Sequence, residues 1–211
     1  ENVAASTARL LEDLLPVRPS VSALSVAQDR LAEKQALESL GIPTPAYHAV
    51  ESRDGLDEAI GRVGVPAVLK TRRFGYDGRG QVAIDSPSGA DAAWEAFAGR
   101  PLILERFVEF SRELSIIGVR GDDGEIGFYP LVENEHRGGI LYRTYAPAPA
   151  STALQDKAEG YLRALLEKWQ YVGVLALELF QCGDELLANE MAPRVHNSGH
   201  WTQDGAHTSQ F

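Results

Sequence analysis

Apolar residues along the chain recur at two periods, and the changes between them lay out a series of helices and strands. Ser25-Val-Ala-Gln28 has capping-box spacing. It predicts a helix whose inward face carries Leu31, Ala32, Ala36, Leu37 and Leu40, ended by Gly41 and Pro43. A strand over 47–50 follows, then a helix over 54–63 stopped by Gly64, and strands over 65–71 and 81–84. A helix with Trp94 and Phe97 precedes a strand over 102–106. Residues 114–120 and 126–132 read as a strand pair turning at Gly121-Asp-Asp-Gly124, and 141–145 as a further strand before the breaker Ala146-Pro-Ala-Pro-Ala150. Thr152-x-x-Gln155 caps the best-defined helix, in which Leu154, Ala158, Tyr161, Leu162, Leu165, Leu166 and Trp169 share one face. Strands over 174–180 and 186–189 turn at Cys182-Gly183-Asp184. Strands in hairpins with helices interspersed predict an α+β fold with mainly antiparallel sheets rather than regular βαβ winding. A boundary near residue 105 is expected. Residues 1–42 would be a leading linker and helix, 43–104 a small lid-like unit, and 105–211 a larger one, with a nucleotide between the two units.

Several segments are too polar for this scaffold alone. The run Asn189-Glu190-Met191-Ala192-Pro193-Arg194-Val195-His196-Asn197-Ser198-Gly199-His200-Trp201 gathers a carboxylate, an arginine, two histidines and two asparagines. Glu178 ends an apolar stretch twelve residues before Glu190, so hairpin strands could bring both acids to one divalent cation. Oxygen ligands of this kind suit Mg²⁺, although a solvated pair on a hairpin's polar face is the plain alternative. His196 and His200 have i,i+4 spacing, but Ser198-Gly199 disfavours a helix there, and no Cys partner or HExxH glutamate supports zinc. The segment Lys70-Thr71-Arg72-Arg73-Phe74-Gly75-Tyr76-Asp77-Gly78-Arg79-Gly80-Gln81 carries an Asp-Gly hairpin signal. A simple turn does not account for its three glycines and four cations together, since glycines admit backbone amides to phosphate oxygens that Lys and Arg neutralise. Glu105-Arg106-Phe107-Val108, with Glu113 behind it, reads equally as an adenine- and ribose-binding hinge or as surface glutamates flanking a turn. His136 falls in a Gly-containing loop between strands. No GxSxG elbow supports nucleophilic serine chemistry.

Composition narrows the class without naming a function. Hydrophobic content of 44% and charged content of 24% are ordinary for a globular protein. A net charge of −10 argues against bulk nucleic-acid binding, yet a local cluster of Arg and Lys can still hold a small anion. The single cysteine, Cys182, rules out an intramolecular disulfide framework and fits a reducing compartment. No apolar stretch approaches the roughly 20 residues of a membrane helix, and the start has no secretory pattern. The first residue is not Met and the last lies just past a site-like segment, so a piece of a longer protein is expected.

Four segments together make a resemblance: Gln28-Asp29-Arg30…Lys34, Phe74-Gly-Tyr-Asp-Gly-Arg-Gly-Gln81, Glu133-Asn134-Glu135-His136, and the 189–201 run. In these the chain resembles the ATP-grasp portion of the 5-(carboxyamino)imidazole ribonucleotide synthases, over essentially its whole length. The resemblance implies an ATP-grasp fold of two α+β subdomains gripping ATP. It also implies ATP-dependent carboxylation of aminoimidazole ribonucleotide with bicarbonate, through carboxyphosphate, in a cytoplasmic homodimer that uses a pair of Mg²⁺ ions. By motif position, Arg30 and Lys70 would contact ATP phosphates while Gly75, Tyr76, Asp77, Gly78, Arg79, Gly80 and Gln81 close over them. Glu105, Arg106, Phe107 and Val108 would line the adenine, Glu113 would hold the ribose, and His136 and Asn189 would complete the nucleotide site. Glu178 and Glu190 would bind magnesium. Tyr76, Asp77 and Arg79 would face the ribonucleotide, with Arg194 on bicarbonate or carboxyphosphate and His196 and Asn197 as further substrate contacts. The catalytic set implied is Arg194, Asp77 and His136. The chain departs from related carboxylases at Ala192, where an Asn is common. The family also has an N-terminal domain and a C-terminal segment outside this region, so poor turnover by the isolated piece is expected. A formate-using ribonucleotide transformylase is the rival enzyme, and a nucleotide sensor with a decayed site is the rival outside catalysis.

Overall fold

The computed structural model describes residues 3–75, 79–97 and 99–211. The chain opens with helices α1 (Ala5–Glu12), α2 (Val21–Ala27) and α3 (Arg30–Ser39). The cap of the third helix is Asp29, whose side chain accepts from the amides of Leu31 and Ala32, and Ser20 caps the second. The start expected at Ser25 is therefore corrected: an Asp cap splits the region into two helices.

A four-stranded antiparallel sheet follows, built from β1 (Tyr47–Val50), β2 (Ala67–Thr71), β3 (Gln81–Ile84) and β4 (Leu102–Arg106) in the order β1-β4-β2-β3. Helices α4 (Arg53–Val63) and α5 (Ala90–Phe97) cover one face, burying Leu56, Ala59, Ile60, Val63, Ala90 and Ala93 against Leu69, Ile84, Leu102 and Leu104. Ser52 caps α4 through the amide of Gly55, and Gly64 ends it at φ +81°. Alternation along β2 turns Ala67 and Leu69 into this core and Val68 and Lys70 to the opposite face.

The second sheet contains β5 (Arg112–Arg120), β6 (Ile126–Phe128), β7 (Val132–Arg137), β8 (Ile140–Tyr145), β9 (Gly173–Cys182) and β10 (Glu185–Ala192). They run antiparallel in the order β10-β9-β5-β7-β8, with β6 paired to β5. Helix α6 (Thr152–Lys168) packs Leu154, Ala158, Leu162, Leu165 and Leu166 against Leu114, Ile116, Leu175, Leu177 and Leu179. Ala23 and Leu37 from the leading helices, and Ile42 behind them, join this core. Ser151, one residue before the expected Thr152, caps α6. The strand expected over 126–132 is two strands parted around Pro130, which has no N–H for a ladder. The chain ends in a 3-10 turn over Asn197–Gly199 and the single-turn helix α7 (Thr202–Gly205). Among the described residues, no helix is long and apolar enough to cross a membrane.

The two sheets are joined by buried charge. Lys34 Nζ lies 3.4 Å from Glu105 Oε2 on β4 and donates to the carbonyls of Ala188 (3.3 Å) and Asn189 (2.7 Å) on β10. Lys70 Nζ reaches the same Glu105 oxygen at 3.0 Å. Burial opposes ionisation of Glu105, but Lys34 and Lys70 outweigh it and hold the carboxyl down at about 2. Burial pushes the Lys34 ammonium below its usual range, and Glu105 opposes that shift. Because the folded-state value of Glu105 lies below the unfolded one, its stabilisation is present above roughly pH 4.5 and is lost as pH falls towards 2. Glu105→Gln leaves two ammonium groups short of their partner, so a loss of about 3–5 kcal/mol near neutral pH is expected. Urea melts of both proteins from pH 7 to 2 should show that loss shrinking over the acid range; a constant difference would refute the linkage.

Candidate active site

A cleft of about 660 Å³ lies between the sheets and takes residues from both. Its volume falls within the range of small-ligand sites. Of the residues singled out in the sequence, Arg30, Lys70, Gly75, Arg79, Gln81, Glu105–Val108, Glu113, His136, Glu178, Asn189, Glu190, Arg194, His196 and Asn197 line it. Tyr76, Asp77 and Gly78 lie outside the described residues. Gly80 is adjacent, its carbonyl accepting from the amide of Thr71 at 2.8 Å. Its φ of +74° and the Thr71 hydroxyl 2.7 Å from where a Cβ would stand restrict the position to glycine. His200 is not among the lining residues and packs its ring on Phe211 at 5.8 Å.

The walls divide chemically. Val68, Phe107, Phe110, Leu141 and Phe180 supply apolar surface, with Phe110 and Phe180 stacked at 4.8 Å and 11°. This surface suits a flat heteroaromatic ring. The amides of Arg106 and Phe107 donate to Ala46 (2.7 Å) and Pro66 (3.0 Å), and the Arg106 guanidinium donates to the Val63 carbonyl at 2.9 Å. That side chain therefore braces the end of α4 although its residue borders the cleft.

Opposite sits a set of cations. Arg72 grips Asp29 through two bonds of 2.9 and 2.8 Å, Arg73 adds a third at 3.1 Å, and the Arg30 amide donates to the Arg72 carbonyl at 2.9 Å. Burial of Asp29 opposes ionisation, but these two guanidiniums hold its carboxyl below the usual range. The loop entry is thus tied to the start of α3, which presents Arg30. Arg30 Nη1 meets Glu190 Oε2 at 2.8 Å. Burial works against the charges of both, and each nonetheless favours the other's ionised form: the Arg30 value is raised and the Glu190 value lowered.

Glu178 and Glu190 come together through an irregularity. Ala188 pairs with Leu179 and Met191 with Leu177, so Asn189 and Glu190 stand opposite the single residue Glu178. This is a β-bulge, a device that re-aims side chains. Among the described residues no group of three or more His, Cys, Asp or Glu is arranged to hold a metal. The oxygen donors of Glu178, Glu190 and Asn189 fit a hard cation that takes the rest of its shell from water and phosphate, as Mg²⁺ does. His196 is buried, with Nδ1 2.7 Å from the Ser198 hydroxyl and Nε2 3.2 Å from Glu178 Oε1. It orients that carboxylate.

His136 is corrected from a loop to strand β7, where it pairs with Leu141 of β8 just past a register shift. Its Nδ1 is hydrogen-bonded to Glu113 Oε2, and that bond favours the imidazolium and raises its pKa. Residues 133–137 were hidden by polarity, since Glu133, Asn134, Glu135, His136 and Arg137 show no apolar alternation.

Beside the site stand Glu33, which the sequence does not single out, and Lys34, which enters there only as the end of the first resemblance segment and without a role. Both are buried, and Glu33 Oε1 accepts the Met191 amide at 2.5 Å. Burial, and then the charge of Glu190, push the Glu33 carboxyl up to about 8, so it is mainly neutral near pH 7. The signal was present: 30, 33, 34 and 37 form an i, i+3, i+4, i+7 stripe. Three of its four members are charged, and the stripe is the buried one.

Comparison with known proteins agrees with this geometry. Residues 35–211 match the ATP-grasp domain family. Over its whole length the chain is 47% identical to an N5-carboxyaminoimidazole ribonucleotide synthase of Pseudomonas aeruginosa and covers 58% of that protein. The crystal structure of N5-carboxyaminoimidazole ribonucleotide synthetase from Thermus thermophilus superposes with a TM-score of 0.94 at 57% identity, over 100% of this chain and 57% of that one. An Aspergillus clavatus N5-carboxyaminoimidazole synthase in complex with ADP and 5-aminoimidazole ribonucleotide superposes with a TM-score of 0.90 at 29% identity, over 99% and 55%. The chain therefore spans somewhat over half the length of these relatives. The resemblance read from the sequence is borne out, and the chain belongs to the ATP-grasp domain family.

Proposed function

We propose that this chain is the ATP-gripping part of an ATP-dependent carboxylase that converts 5-aminoimidazole ribonucleotide and bicarbonate to 5-(carboxyamino)imidazole ribonucleotide. The observation that carries the reading is the convergence, in one cleft, of an apolar aromatic wall, the cations Arg30 and Lys70, and two carboxylates set opposite each other by a bulge. In the reaction a bicarbonate oxygen takes the γ-phosphoryl group of ATP, releasing ADP. The resulting carboxyphosphate gives up its carboxyl carbon to the exocyclic amine as the carbon–oxygen bond to phosphate breaks.

The chain's own residues act by position and charge. Arg30 and Lys70 exchange their carboxylate partners Glu190 and Glu105 for phosphate oxygens. The cations thus stand oriented before the nucleotide arrives. The Gly75–Gln81 loop closes over the phosphates and excludes water that would hydrolyse an acyl phosphate, and Tyr76, Asp77 and Arg79 face the ribonucleotide. Glu113, steadied by His136, accepts the ribose hydroxyls. Arg194 neutralises bicarbonate and carboxyphosphate, with His196 and Asn197 beside it. Glu178, Glu190 and Asn189 would hold Mg²⁺, which supplies charge neutralisation across the phosphates when bound. The proposal includes a cytoplasmic homodimer, supported by the family resemblance.

The test is ADP release by the full-length protein given ATP, bicarbonate and aminoimidazole ribonucleotide. Release should require both co-substrates; release that follows formate or an amino acid instead would overturn the assignment. The 1–211 chain by itself should bind ATP–Mg²⁺ and turn over poorly. Glu190→Gln should lower magnesium-dependent turnover by about 100-fold or more while the melting temperature stays close to the parent's. Survival of activity in that variant would remove Glu190 from the metal site.

A further inference from the structure

Strand β10 changes parity in the middle, and that change decides where Glu190 points. Leu186 and Ala188 lie in the core beneath α6, so a regular strand would send Glu190 into the same apolar layer. The bulge delays the alternation by one residue. Met191 takes the core position, and Glu190 emerges at the cleft beside Asn189. A bulge removes peptide groups from the ladder, and buried ones need other partners. Two adjacent side chains of α3 supply them. Lys34 Nζ donates to the Ala188 carbonyl at 3.3 Å and the Asn189 carbonyl at 2.7 Å, and Glu33 accepts the Met191 amide at 2.5 Å.

We propose that Glu33 and Lys34 are positioning residues that hold the β10 bulge by its backbone and thereby aim Asn189 and Glu190 into the cleft. Neither needs to touch nucleotide for this. The inference rests on reading Glu178 and Glu190 as the carboxylates of a nucleotide-bound divalent cation. Apolar residues of similar size at 33 and 34 would avoid the desolvation of two buried polar groups. They would leave the Asn189 carbonyl and the Met191 amide without these partners, favouring regular pairing that turns Glu190 inward. A register change of one residue is enough to do this.

The experiment measures ADP affinity of the 1–211 chain by calorimetry, in EDTA and in Mg²⁺, for the parent, Glu33→Leu, Glu33→Gln and Lys34→Met, with Mn²⁺ binding followed by electron paramagnetic resonance. Glu33→Leu and Lys34→Met should cut the affinity gained from Mg²⁺ by roughly 10-fold or more, the scale for residues that orient metal ligands, and weaken Mn²⁺ binding in parallel. Metal-free ADP affinity of Glu33→Leu should stay close to the parent's, since that variant touches neither the apolar walls nor the Lys34–Glu105 pair. Glu33→Gln keeps an acceptor oxygen and should recover most of the gain. If Lys34→Met does not fold, Glu33→Leu decides, because it removes a single hydrogen bond. Equal losses with and without metal in Glu33→Leu, or a parental gain in the folded Glu33→Leu protein, would overturn the proposal. A parent that gains nothing from Mg²⁺ would instead overturn the metal reading beneath it.

Discussion

The cleft depends on a carboxylate buried between two ammonium groups where the sheets meet. Glu105 comes from the small sheet, and Lys34 reaches it from a helix packed on the large one. An ion removed from water costs several kcal/mol unless it is paired and hydrogen-bonded. Lys34 meets that requirement only by touching both sheets: a carboxylate on one side, two strand carbonyls on the other. The Coulomb attraction falls off only with distance, whereas the hydrogen bonds demand a geometry. This gives the relative placement of the sheets a directional component that apolar contact between them would lack.

A second consequence concerns charge. At −10 the chain repels an anionic ligand at long range, so holding the nucleotide proposed for it would rely on fields that are local. The cleft arranges this by keeping its cations in use before any ligand enters. Arg72 and Arg73 are spent on Asp29 and hold the loop to α3, while Arg30 and Lys70 each sit against a single carboxylate oxygen. The first pair is structural, and the second is the pair proposed to exchange its carboxylates for phosphate. The protonated state of Glu33 fits the same economy of charge: another carboxylate beside Glu190 would raise the cost of ionising both.

Most of the fold was legible because its elements obey the two hydrophobic periods. Residues 47–50, 81–84 and 102–106 emerged with the bounds the structure has, and the α6 stripe packs as its spacing required. The failures have separate causes. β7 was hidden because Glu133 to Arg137 sits beside a ligand cleft rather than in a core, so it carries no alternating apolar signal. The first helix was started too early because Ser25 mimics a cap that Asp29 provides through two amides and two arginines. Of the site, the residues of the 189–201 run and the glycine loop were visible as polar density. Their supports were not, since a buried Glu or Lys looks in a sequence like any surface residue.

Two breaches of the hydrophobic pattern in fact answer each other. On α3 the buried residues Glu33 and Lys34 share a stripe with Leu37 and are ionisable where they should be apolar; on β10 Glu190 occupies a parity that should enter the core. Each alone predicts instability, because an unpaired buried charge is among the most costly features a fold can carry. The structure brings them into contact, and Glu33 and Lys34 on the helix satisfy the backbone irregularity that releases Glu190 from the core. Departures from local consistency are expected at functional sites. Here two departures far apart in sequence form one device, and a charged residue at a core position of a strand becomes a reason to search for its partner on a helix stripe. Neither breach would have suggested this by itself, since the sequence separates Glu33 from Met191 by 158 positions.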